Sequence, residues 1–358
     1  MKRGLTCILL VACGGNDPAP ADTDDTSTGS SSTLGESSSS ATLTTTTTGP
    51  DESSTSVADT SSTTADDTSS SSSGDTGEVV LHGACELADR VGGFVLLREE
   101  SYSTFSGAVA DGVVPVSVLE NVGEEGDCRM LRRNNPFCDP ACGPGETCDF
   151  DGTCLDYPRN HDVGMVDVTG LLDAVSVAPI EPTYDYFDTS LPHPAWDPLA
   201  PIELSAAGGD YEAFMLAGVG VSMIVPDPAP LVLDPDADLT VMWTPDEGPQ
   251  QVRVELTIDL HGATPSKLVC VTADDGELTV DQTLVAQFVA LGVTGFPTVT
   301  FHRETVDSID ITPGCVELGV RSYAEGELSV VGHTPCTMDR DCPDPMICDM
   351  PNETCVDP

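Results

Sequence analysis

Hydrophobic and polar positions alternate along much of the chain beyond residue 78. Gly93-Phe94-Val95-Leu96-Leu97 and Val113-Val114-Pro115-Val116-Ser117-Val118 form short apolar runs between Gly, Asp and Pro punctuation. Met165-Val166-Asp167-Val168, Leu239-Thr240-Val241-Met242-Trp243, Val252 to Ile258 and Val299-Thr300-Phe301-His302 alternate with period two. Such alternation, rich in Val, Thr and Ile, predicts strands with one buried face. One stretch has helical spacing instead. Asp281 stands where a cap belongs, Leu284, Val285, Phe288 and Leu291 follow at helical intervals, and Gly292 provides a stop. The 28 prolines oppose long helices elsewhere. Short strands with one brief helix predict a mainly β fold with Ig-like β-sandwich packing.

The pattern vanishes over the first part of the chain. Residues 13–77 are dominated by Ser and Thr, with homopolymer runs at Ser37–Ser40, Thr44–Thr48 and Ser69–Ser73 and scattered carboxylates. Such a segment cannot bury enough apolar surface to offset its ordering entropy, which predicts a disordered linker. A flexible chain of this length spans roughly 45 Å, and more under charge repulsion. Ahead of it, Lys2 and Arg3 precede an apolar run from Leu5 to Val11 that is too short to span a bilayer. Leu10-Val11-Ala12-Cys13 resembles a bacterial lipobox, which implies cleavage after residue 12 and lipid attachment at Cys13. Gly14 after that cysteine implies sorting to the outer membrane by analogy with lipoproteins of that kind. An ordinary secretory signal cut near Gly14-Gly15 is the alternative.

The chain has 358 residues, with 60 acidic against 13 basic side chains and a net charge of -47. Beyond Lys2, Lys267 is the single lysine. Such a surface repels nucleic acid and anionic headgroups, so no nucleic-acid partner is expected. The Asp234-Asp236-Asp238 run and the Asp274-Asp275-Gly276 turn invite a calcium reading, but no loop has the EF-hand spacing.

Fourteen cysteines less Cys7 in the leader and Cys13 leave twelve, an even number that points to six disulfides in an oxidising compartment. Eight form a repeat: Cys138, Cys142, Cys148 and Cys154, then Cys336, Cys342, Cys348 and Cys355. Cys142-Gly-Pro-Gly-Glu-Thr-Cys148-Asp aligns with Cys342-Pro-Asp-Pro-Met-Ile-Cys348-Asp, and each cluster ends in Cys-aliphatic-Asp. One small module is thus used twice, and modules of this size need crosslinks in place of a core. First-to-third and second-to-fourth pairing is expected within each, with Cys85–Cys128 and Cys270–Cys315 completing the set. Zinc is the competing reading, disfavoured because paired short Cys knuckles are missing. The expected organisation is a leader over 1–12, the linker over 13–77 and a β-rich region over 78–135. The first module (136–158), a β-sandwich domain (159–335) and the second module (336–358) follow. The sequence leaves open whether 78–335 is one interrupted domain or two.

The lipobox, the Ser/Thr/Asp linker and clusters such as Cys336-Thr-Met-Asp-Arg-Asp-Cys342 are similar to cysteine-rich surface lipoproteins of the myxobacterial type. Leu239-Thr-Val-Met-Trp243-Thr, Leu268-Val-Cys270 and Asp274-Asp275-Gly276 resemble the β-domain of those proteins. The resemblance implies a location facing the cell exterior and an architecture, and names no reaction.

No catalytic set stands out. Gly295-Phe296-Pro297-Thr298 resembles a thioredoxin proline loop, yet no C-x-x-C accompanies it, so Pro297 is expected to shape a strand entry. There is no G-x-S-x-G and no H-E-x-x-H. His82, His161, His193 and His261 are scattered singly. Glu99-Glu100 and Glu124-Glu125 could be drawn as a glycosidase pair, but among 60 carboxylates such pairs arise by chance. The Pro-rich stretch from Tyr184 to Trp196 is the expected exposed aromatic patch, with Tyr184, Tyr186, Phe187 and Trp196 as candidate ligand-binding residues. Trp243 is expected in the core. The reading is a tethered, non-catalytic binding or envelope-structural protein without cofactor or metal. Its partners would be the membrane through its lipid and a glycan or an envelope or extracellular protein. A carbohydrate- or matrix-binding module is the alternative, and a hydrolase with dispersed carboxylates a more distant one.

Overall fold

The computed structural model describes residues 79–258 and 266–358. Cys13, the leader, the linker over 13–77 and His261 lie outside the described residues. The chain forms β1 (Arg90–Arg98), β2 (Ser103–Val109), β3 (Leu119–Glu125), β4 (Cys128–Arg133), β5 (Glu146–Cys148) and β6 (Cys154–Asp156). It continues with β7 (Val166–Thr169), β8 (Val175–Val177), β9 (Tyr186–Asp188), β10 (Pro201–Ala206), β11 (Phe214–Val219), β12 (Leu231–Leu233) and β13 (Leu239–Met242). β14 (Gln251–Thr257), β15 (Ser266–Ala273), β16 (Glu277–Val280), α1 (Gln282–Val289), β17 (Thr298–Asp310), β18 (Cys315–Val330), β19 (Ile347–Asp349) and β20 (Thr354–Val356) complete it.

One large sheet organises the molecule, in the order β3-β4-β15-β14-β17-β18-β1-β2-β9, with β12 also paired to β18. Strands from 78–135 and from 159–335 therefore share one sheet. β17 and β18 form an antiparallel hairpin of 13 and 16 residues, long enough to serve two cores. In one, Val316, Leu318 and Val320 of β18 join Phe94, Leu96 and Phe105, and the sheet β11-β10-β7-β8 closes the sandwich around Leu204, Leu216 and Trp196. In the other, Val299 and Phe301 of β17 join Val252, Val254, Leu256 and Leu268, covered by the β13–β16 pair and α1. The fold is mainly β with sandwich packing, as the periodicity predicts, and carries two disulfide-stapled modules, as the cysteine repeat predicts.

The waist between the cores is polar. Arg303, 2% exposed, follows Phe301 by two positions on β17 and stands opposite Ser322. Its Nε donates to Asp274 Oδ2 at 2.6 Å and its Nη2 to Asp274 Oδ1 at 3.2 Å and to the Thr244 carbonyl at 2.6 Å. Nη1 donates to Ser222 Oγ at 2.7 Å and to the Met223 carbonyl at 2.9 Å. All five N–H groups are satisfied, which is what makes a buried guanidinium tolerable. Asp274 also accepts from Trp243 Nε1 at 2.8 Å, so the turn that invited a calcium reading holds an arginine instead.

α1 forms as the spacing predicts. Asp281 accepts from Thr283 N at 2.7 Å, Leu284, Val285 and Phe288 are buried, and Gly292 leaves the helix at φ +106°. The run at Val113–Val118 is not a strand: Pro115–Ser117 makes a short 3-10 turn. Proline has no N–H to give a ladder, and this overrides the apolar pattern.

All twelve cysteines in the described residues are paired. Within the modules the bridges are Cys138–Cys148 and Cys142–Cys154, then Cys336–Cys348 and Cys342–Cys355, the expected scheme in both. Each module folds into a hairpin, β5–β6 or β19–β20, with Cys148 opposite Cys154 and Cys348 opposite Cys355. Sulfurs close enough to share a zinc ion are consumed by these bridges. The other two bridges correct the expectation: Cys85 pairs with Cys315 and Cys128 with Cys270. Pairing by nearness in sequence fails because the topology interleaves distant strands, setting Cys128 directly opposite Cys270 in the β4–β15 register.

Candidate functional site

The expected aromatic patch does not form. Trp196 is fully buried, its Nε1 donating to the Val221 carbonyl at 3.0 Å. Tyr186 is also in the first core. Its hydroxyl donates to the Gly164 carbonyl at 3.0 Å and accepts from Val163 N, and burial pushes its phenol up to about 12. Phe187 is 54% exposed because neighbours on β9 face opposite ways. Tyr184 is half-buried at a tight turn with φ 53°. Two of the four rings are core residues, which leaves no shared stacking face. Trp243 fills the second core, as expected.

His82, His161 and His193, which look isolated in sequence, each have partners. His82 Nδ1 lies 2.7 Å from Asp307 Oδ1. His161 is held between two carboxylates, Nδ1 to Asp210 at 3.1 Å and Nε2 to Asp111 at 3.2 Å. Partial burial opposes its charge, but the two carboxylates outweigh that, and its pKa is raised. These groups line a cleft of about 730 Å³ with Tyr211, Asp310 and Thr312. Both ring nitrogens are engaged, so His161 links the loops at Asp111 and Asp210 and has no lone pair free to act as a base.

A second cleft, of about 650 Å³, opens along β18. β1 pairs with β18 as far as Ser322, and β12 pairs with the same strand only from Leu328. In the interval the strand lacks a partner on that side, and the segment 223–226 and the β1–β2 turn rise around the gap. The walls are Met223, Ile224, Val225 and Pro226 opposite Tyr323, Ala324 and Glu325, with Arg98, Glu99, Glu100 and His193 at the turn. Tyr323 donates to Glu325, and burial followed by that carboxylate holds its phenol well above the usual range.

His193 fixes the turn. Its Nε2 lies 3.0 Å from the Glu100 carbonyl, which can only accept, so Nε2 carries the proton. Nδ1 lies 3.1 Å from Ser103 Oγ. This Ser–His contact is not a hydrolytic dyad, since Ser103 is 1% exposed and the histidine has no carboxylate behind it. Glu124 and Glu125 stand on β3, away from this cleft, so the two glutamate pairs do not face each other across it.

Arg129, Arg133, Arg159 and Arg340 are exposed, whereas Arg98 is half-buried. Arg90, Arg253, Lys267, Arg303 and Arg321 each pair with a carboxylate. Arg98 has no hydrogen bond or ion pair among the described residues, and its Nε is shut off from solvent without a partner. Burial lowers its pKa. Sequence reasoning passed over it because a single arginine after an apolar strand has no motif; its signal is that β1 places it at the rim of a gap in the pairing of another strand.

No protein-family model matches the chain, and no curated protein matches it. Among solved structures, the FN1–FN3 domains of chicken CNTN1 align at 8% identity over 63% of this chain and 78% of that one, with a TM-score of 0.18. A Ca2+-stabilized adhesin with which an Antarctic bacterium reaches out and binds ice aligns at 10% identity over 68% and 75%, with a TM-score of 0.16. Likeness at this level carries no argument about function.

Proposed function

We propose that the chain is a lipid-tethered binding protein displayed at the outer membrane, with the Arg98 cleft as its ligand site. The observation that carries this reading is Arg98 itself. It is half-buried in a lined cleft, with its Nε shut off from solvent and without a partner. Leaving the Nε–H of a guanidinium buried and unpaired costs free energy, which a bound anion would recover. A non-catalytic role accords with His161 and His193 having both ring nitrogens engaged and with Ser103 being buried. Support for the tether is the lipobox-like Leu10 to Cys13 and the Ser/Thr/Asp-rich run behind it. A glycan or an envelope or extracellular protein is the partner class, and the acidic balance disfavours nucleic acid.

Protease treatment of intact cells tests the display. The reading expects loss of the wild-type ectodomain and a soluble Cys13→Ala form; protection of the wild type until the outer membrane is opened would overturn it. Calorimetric titration of the full chain with simple carboxylates such as hexanoate and norleucine tests the site. Binding is expected for wild type and lost in Arg98→Ala, and binding unchanged by that substitution would remove the cleft from the proposal.

A further inference from the structure

We infer that the Arg98 cleft takes a zwitterion, a free amino acid or short peptide whose carboxylate meets Arg98 and whose ammonium meets the surrounding glutamates. This rests on the Arg98 reading of the site and adds to it the charge pattern of the ligand. Beside one arginine, the cleft carries Glu99, Glu100 and Glu325. Glu99 and Glu100 accept no side-chain hydrogen bond and form no ion pair among the described residues, so their carboxylates are available to a ligand. A phosphate or dicarboxylate would gain Arg98 and face three like charges. An amine alone would leave Arg98 unpaired. A molecule carrying one charge of each sign satisfies both sides at once.

Glu99 and Glu100 follow Arg98 directly at the turn, and Glu325 lines the same cleft from the face of β18 opposite to that of Ser322, the register partner of Arg98. Between the charged ends, Met223, Ile224, Val225, Pro226 and Ala324 present an apolar wall for an aliphatic side chain.

The test uses four probes on the full chain by isothermal titration: norleucine, trialanine, hexanoate and hexylamine. At least one zwitterion is expected to bind about tenfold tighter than hexanoate and hexylamine, the gain of one charge-assisted contact. The better of norleucine and trialanine identifies a free amino acid or a peptide as the source. Arg98→Ala should abolish binding, and Glu99→Gln should weaken the zwitterion while leaving hexanoate unchanged. Arg98-dependent binding of hexanoate that equals or exceeds both zwitterions would overturn this inference and leave the site reading intact. Absence of any Arg98-dependent binding would overturn both, and the wild-type titrations decide even if a variant fails to fold.

Discussion

His161 is a proton-dependent tie between two loops, because both of its ring nitrogens face carboxylates and an imidazole needs both protons to donate to both. Its folded pKa lies above its ordinary value, so the stabilisation is complete below about pH 6.5, where the unfolded chain is also protonated. It is lost as pH rises through the raised folded value. His302, pushed down to about 4 by burial and by Arg253, is neutral in the folded protein while the unfolded chain still takes up its proton near the ordinary value, so it makes stability rise from pH 6 upward in wild type and variant alike. The urea midpoint of the wild type measured relative to that of His161→Gln should therefore fall from pH 6 to 8. Arg303 is a different case, since its charge is permanent and its five donors are all used. Arg303→Met leaves Asp274 buried without its counter-ion, and a loss of about 3–5 kcal/mol in denaturant unfolding is expected. A smaller loss in Arg303→Met with Asp274→Leu would show that the uncompensated carboxylate is the main cost.

The disulfides contribute unequally because the elements they join differ in isolation. β5 and β6 pair only with each other, so removing Cys142–Cys154 should leave the main unfolding transition in place and open the module to protease. Cys85–Cys315 closes a separation of 230 residues, and its removal should cost up to about 5 kcal/mol in the chain-entropy account. Equal effects of the two removals on the main transition would contradict this ranking. The module bridges were legible in sequence because a repeated local spacing leaves few ways to pair. Cys128–Cys270 was not, because it depends on which strands become neighbours, and period-two alternation carries no such information. The same limit hid the site: Phe94 and Leu96 announce β1, but only the place where β1 leaves β18 puts Arg98 beside Tyr323 and Glu325. Tyr186 and Trp196 depart from the expected exposure for the opposite reason. Their surroundings are Pro-rich and irregular, yet the loop lies over the first core and takes both rings inside.

At the scale of the whole molecule, the two cores are joined by continuous backbone, since β17 and β18 each run through both. Val320 belongs to the first core and Ala324 to the second, four residues apart on one strand, with Ser322 and Arg303 between them. Either core melting alone would fray the shared hairpin and expose Arg303 and Asp274, so the cores should unfold together. The chain contains a probe for each. It has two tryptophans, Trp196 in the first core and Trp243 in the second. In Trp196→Phe the remaining fluorescence reports the second core, and in Trp243→Phe it reports the first. Each substitution also shifts overall stability, so each variant is compared with its own circular dichroism. Coincident fluorescence and dichroism midpoints in both variants are expected for one cooperative unit. A tryptophan transition that departs from the dichroism curve in either variant would mean that the hairpin can part at the Arg303 waist. In Arg303→Met that waist is weakened, so divergence should appear there first if the shared strands and their polar joint are what couple the cores.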